Sequence, residues 1–147
     1  MILYLADSNV LLRLPQRADP LHAVVRAALR TLRSRGDGLC YTSQILGEFW
    51  NVCTRPAPAR GGFGLQVPEA DRRARLIERN YLLLPETPAV HAEWRRLLVV
   101  HAVHGVQVHD ARVVAAMKVQ GVTHLLTFNG ADFARYPGIV VHHPSSL

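Results

Sequence analysis

The sequence predicts an α/β fold, a three-layer α/β/α sandwich around a mostly parallel five-stranded sheet. Short, continuous apolar runs recur along the chain, as strands buried on both faces require. Between them lie segments whose apolar residues repeat at helical spacing. Capping residues and carboxylates stand where runs give way to helices. Alternation of this kind builds parallel sheets with helices on both sides.

The first run, residues 2–6 (ILYLA), breaks at Asp7-Ser8-Asn9, three helix-capping residues, so strand, turn and helix follow within the first 14 residues. Asp19-Pro20 is expected to start a helix in which Leu21, Val24, Val25, Ala28, Leu29 and Leu32 face inward and Arg26, Arg30, Arg33 and Arg35 outward. Gly36-Asp37-Gly38 stops it before a second strand, residues 39–41. Thr42-Ser43 caps a helix over 44–54, with Glu48 beside its apolar stripe. Prolines and glycines over 55–68 predict a mobile loop carrying Arg55, Arg60 and Phe63. A charged helix over 68–80 and a third strand over 81–84 come next. Pro88 opens a helix expected to end near Gly105, and His109-Asp110 are expected to cap another, closed by Gly121. Residues 124–128 form the fourth strand, 129–133 a turn and 139–141 the last strand.

Size and composition bound the answer. The 147 residues fit one domain, residues 1–147, with 49% hydrophobic and 19% charged content. No run approaches the ~20 residues of a membrane span, and residues 2–6 lack the basic start of a signal peptide. Cys40 and Cys53 lie in apolar patterns and read as buried thiols, so a cytoplasmic location is the default. Net charge is +6, and of 17 basic residues only Lys118 is lysine. Arginine pairs with phosphate through a planar fork, which points to a polyanionic partner. A GC-rich coding sequence produces the same bias, so charge alone does not decide.

Four acids stand at element boundaries. Asp7 ends strand one, Glu48 lies one turn into the helix after strand two, Asp110 begins the helix before strand four, and Asp132 lies in the turn after it. In a parallel sheet the strand ends that lead into helices share one edge, so the four can meet in one cleft. Carboxylates crowded there need raised pKa values or a cation. All-oxygen ligands suit Mg²⁺ or Mn²⁺, which would orient a phosphodiester and its attacking water.

Taken together, these stretches resemble the PIN-domain ribonucleases of the VapC toxin family. The matching segments are the strand into DSNV, Glu48 in SQILGEFWNVCTRP, HDARVVAAM with Asp110, and GVTHLLTFNGADF with Asp132. The resemblance implies a Mg²⁺- or Mn²⁺-dependent endoribonuclease, a homodimer, and a cognate antitoxin that occludes the cleft. Asp7, Glu48 and Asp110 match the family's three constant acids. Relatives often carry an acid directly after the strand-four threonine. Here Asn129 stands near that place, and Asp132 is assigned the acid role. Ser8 and Thr127 are expected to brace the carboxylates, with Asn129 as a neighbour. Arg13, Arg55 and Arg60 are the arginines expected to meet single-stranded or structured RNA.

Other readings are weaker. His101 and His104 would share a helix face, but no carboxylate or cysteine completes a zinc pattern. An aspartyl phosphatase would want an acid where Asn9 stands. A housekeeping RNA-processing nuclease of the same kind, or a non-catalytic RNA-binding module, remains an alternative.

Overall fold

The run at residues 2–6 becomes the central strand of the sheet. In the computed structural model, which describes residues 1–57 and 61–147, β1 (Leu3–Ala6) pairs on one side with β2 (Gly38–Tyr41) and on the other with β4 (His124–Leu126). A two-residue β3 (Leu82–Leu83) and β5 (Val140–His142) close the edges. The order is β3-β2-β1-β4-β5, and every pairing is parallel. Central position explains the composition of β1: Leu5 and Ala6 have no exposure at all, and neither do Leu125 and Leu126 of β4.

Among the described residues six helices flank the sheet: α1 (Ser8–Leu11), α2 (His22–Ser34), α3 (Ser43–Thr54), α4 (Val67–Asn80), α5 (Pro88–Val100) and α6 (Gln107–Gln120). Two 3₁₀ turns, Gly130–Phe133 and Pro144–Ser146, bracket β5. α5 and α6 pack as a hairpin, α3 packs between α1 and α4, and α2 packs on the last turn. No helix among the described residues is long and apolar enough to cross a membrane.

Several boundaries differ from expectation, each for a local reason. Asp19 does not cap a helix directly. Its Oδ1 accepts from the Leu21 N–H at 2.8 Å in a preceding turn, and α2 starts at His22. The third strand shrinks to two residues with Leu82 and Leu83 exposed, because an edge strand pairs on one side only. α5 ends at Val100, so His101 and His104 do not share a helix face; His101 instead packs edge-to-face on Tyr136 at 5.1 Å. α6 begins at Gln107, through 3₁₀-type bonds from the turn at Gly105 (φ +56°), rather than at a His109-Asp110 cap. Asp110 therefore sits inside the first turn, where the helix dipole favours a carboxylate. β5 is shifted by one residue, to Val140–His142.

The stretch after α3 is also less free than its composition suggests. The Phe63, Gly64 and Leu65 N–H groups bond back to the Val52, Arg55 and Cys53 carbonyls at 2.8–2.9 Å. Arg55 is the C-cap residue of α3 and half-buried. Arg60 lies outside the described residues. Cys40 and Cys53 are free and buried, and burial pushes the Cys40 thiol up to about 12.

Candidate active site

The sheet order sets the location. The chain leaves β1 toward β2 on one side, and β4 lies on the other, so the β1–β4 boundary is where strand order reverses. At such a switch point the loops at the strands' carboxyl ends diverge and leave a crevice. Asp7 follows β1, Thr127 follows β4, and the two side chains meet across that crevice.

Asp7 is held at both oxygens. Its Oδ1 accepts from the Ser8 N–H at 2.8 Å, capping α1. Its Oδ2 accepts from the Thr127 hydroxyl at 2.8 Å and from Asn9 Nδ2 at 3.3 Å. Thr127, fully buried, accepts in turn from Asn9 Nδ2 at 3.1 Å and from the Asn129 N–H at 3.0 Å. Asn9 Oδ1 accepts from the Phe128 N–H at 3.2 Å. Asn9 thereby ties the end of β1 to the end of β4, a role the sequence reading did not assign to it. The signal available was its place two residues after Asp7 in a capping run.

Glu48 projects from the second turn of α3, which Thr42 starts by accepting from the Ile45 N–H at 3.2 Å. Glu48 Oε2 accepts from the Ser8 hydroxyl at 3.1 Å, and Oε1 from Gln44 Nε2 at 3.1 Å. Ser8 thus contacts Asp7 through its N–H and Glu48 through its hydroxyl. Gln44 is a second residue that the sequence reading passed over.

Two of the four predicted acids, Asp7 and Asp110, are raised with the other carboxylates among the causes. Burial, first of all, raises the Asp7 carboxyl; bonds from Thr127 and Ser8 oppose it, and the charges of Glu48 and Asp132 add to it. Asp110 is pushed up to about 6, by burial first and then by Asp7, Asp132 and Glu48, with His109 opposing. Asp132 is exposed on the 3₁₀ turn after β4 and acts on both aspartates. Asn129 is exposed, and its contact here is through its backbone N–H. The donor set is all oxygen, with carboxylate charge raising both Asp7 and Asp110, which fits a hard divalent cation. Among the described residues no three His, Cys, Asp or Glu side chains are drawn tightly enough to cradle an ion as they stand.

Arg13 stands beside this site, stacked over the Phe128 ring at 4.9 Å, donating to the Asn9 carbonyl and 3.8 Å from Asp19. Phe128 also meets His143 edge-on at 5.0 Å. The remaining histidines form no cluster of metal ligands among the described residues; His124 and His142 stack with a 2.8 Å N···N hydrogen bond.

The bracing of Asp7 is testable. Thr127→Val deprives Asp7, Asn9 and the Asn129 N–H of a buried partner. The expected loss is about 2 kcal/mol, read as a melting temperature lower by ~6 °C.

Comparison with known proteins supports the fold. No protein-family model and no curated relative matches the sequence. Solved structures do match over nearly the whole chain. The VapBC2 structure from Rickettsia felis, bound to a promoter DNA fragment, superposes with a TM-score of 0.69 at 12% identity, covering 96% of this chain and 98% of that one. Mycobacterium tuberculosis VapC20, described as a sarcin–ricin-loop-cleaving toxin, gives 0.65 at 19% identity over 89% and 93%. The chain has a VapC-like PIN-domain fold. FitAcB from Neisseria gonorrhoeae gives 0.62 at 20% identity, covering both chains completely. In a PIN fold with this strand order, Asp7 stands at the carboxyl end of the central strand, the place its sequence context predicts.

Proposed function

We propose that this chain is a divalent-metal-dependent endoribonuclease, the toxin of a toxin–antitoxin pair. The observation that carries the reading is the bonded cluster at the switch point, where Ser8 joins Asp7 to Glu48, Thr127 braces Asp7, and Gln44 joins Glu48 to the residue before Asp110. Asp7 and Asp110 would hold Mg²⁺ or Mn²⁺, and Glu48 and Asp132 would complete the set. When bound, such an ion lowers the pKa of water and offsets charge on a phosphodiester. The chain's own groups orient it: Thr127, Asn9 and Ser8 fix the Asp7 carboxylate, and Ser8 and Gln44 fix Glu48. The net charge of +6 is compatible with a polyanionic substrate such as RNA.

The antitoxin partner has support in the surface. A groove of about 310 Å³ is lined by the accessible apolar side chains of Leu14, Leu76 and Tyr81 together with the exposed Arg17 and Arg26. Such a lining suits a partner segment that combines apolar and acidic side chains. A toxin–antitoxin complex from Klebsiella pneumoniae is also similar in fold (TM-score 0.65, 17% identity), which supports the same reading.

The test is incubation with single-stranded RNA and with a sarcin–ricin-loop hairpin, in Mn²⁺ and in chelator. Cleavage in Mn²⁺ that stops in chelator is expected. Cleavage that persists in chelator contradicts the mechanism.

A further inference from the structure

We infer that Gln44 is a positioning residue whose side-chain amide sets Glu48 against the first turn of α6, and so fixes the spacing between Glu48 and Asp110. The inference rests on the nuclease reading above. It starts from two bonds made by one nitrogen. Gln44 Nε2 donates to Glu48 Oε1 at 3.1 Å and to the His109 carbonyl at 2.9 Å, a partner 65 residues away along the chain. His109 immediately precedes Asp110. A single NH₂ group therefore joins α3 to α6 between two of the four acids.

Chemistry fixes the orientation of that amide. Both neighbours are acceptors only, so the NH₂ end must face them, and both of its protons are used. The other end pays for the arrangement: Gln44 Oε1 is buried with no hydrogen-bond partner among the described residues. A glutamine near a helix surface could hydrate its carbonyl by swinging outward. Gln44 keeps the inward rotamer, which the two donated bonds hold in place.

A neutral donor also suits the proposed site better than a charged one. An arginine or lysine at position 44 would orient Glu48 equally well but cancel its charge. The amide and the Ser8 hydroxyl (3.1 Å to Glu48 Oε2) fix both oxygens while leaving the negative charge available to a cation. Partners that orient ligating carboxylates typically change metal affinity 10- to 100-fold when removed.

Gln44→Met keeps length and helix propensity and removes both donors. Three readouts on the full chain apply: Mn²⁺ affinity by calorimetry without RNA, hydrogen exchange of the amides at residues 107–110, and melting temperature. The expected result is Mn²⁺ affinity weaker by roughly 10- to 100-fold, faster exchange in the first turn of α6, and a nearly unchanged melting temperature. Gln44→Asn, too short to reach both partners, should fall between the two proteins and serves if the methionine variant does not fold. Wild-type Mn²⁺ affinity and exchange in either folded variant overturn the positioning role and leave the nuclease reading intact. Absence of Mn²⁺ binding by the wild-type protein overturns both.

Discussion

Asp7→Asn is expected to reduce RNA cleavage by about 10³-fold, or ~4 kcal/mol of transition-state stabilisation, while leaving the fold in place. Asparagine fills the same volume, and its carbonyl can still accept from the Ser8 N–H that starts α1, while its NH₂ replaces the acceptor facing Thr127 and Asn9 at a cost of about 1–2 kcal/mol, too little to unfold the chain. What it cannot supply is the anionic oxygen at the switch point. RNA affinity should stay within about twofold, because phosphate contacts from arginines do not involve this carboxylate. Cleavage by gel and binding by fluorescence anisotropy separate the two effects. A variant that still cleaves within tenfold of wild type removes Asp7 from the catalytic machinery. A non-catalytic RNA-binding module would show no cleavage to lose.

The second large effect is on stability as a function of pH. Asp110 has an ordinary value of 3.8 and stands at about 6 in the folded protein. A raised carboxyl contributes stability fully below the unfolded value, and that contribution is lost as pH rises through the folded one. That rise corresponds to about 3 kcal/mol, reduced to roughly 1–2 kcal/mol because the half-exposed group is screened by solvent. Asp7 is shifted in the same direction. Glu69 and Glu93 are shifted down and act only at lower pH, whereas lowered His142 opposes the trend. Comparison with Asp110→Asn cancels those contributions. The metal-free variant should match wild type near pH 4 and melt higher by ~3–6 °C at pH 7.5. Saturating Mn²⁺ should reverse the order at pH 7.5, since only the wild type gains from binding. Parallel melting curves across the whole range would show that Asp110 carries no such burden.

Much of this was legible in the sequence because the central strand announces itself. Residues 2–6 are apolar on both faces, and an acid that ends such a run has few places to go but the ligand-binding edge. Glu48, Asp110 and Asp132 could be placed at that edge from strand–helix alternation alone. The groups that organise the acids were harder to see. Asn9 and Gln44 act through contacts 118 and 65 residues away, and no local spacing records such pairings. His109-Asp110 looks like a cap, whereas the turn at Gly105 begins α6 with no side-chain cap. The stretch after α3 looked free because Pro and Gly exclude helices and strands. They do not exclude backbone bonds returning to α3, and Gly62 packs so closely on Arg55 that a Cβ there would meet its carbonyl.

Anomalous diffraction from a Mn²⁺-soaked crystal tests the central claim most directly. A cation peak about 2.1 Å from oxygens of both Asp7 and Asp110 is the predicted result. Saturating Mn²⁺ with no peak among these acids, or a peak that Asp7 does not touch, would contradict it.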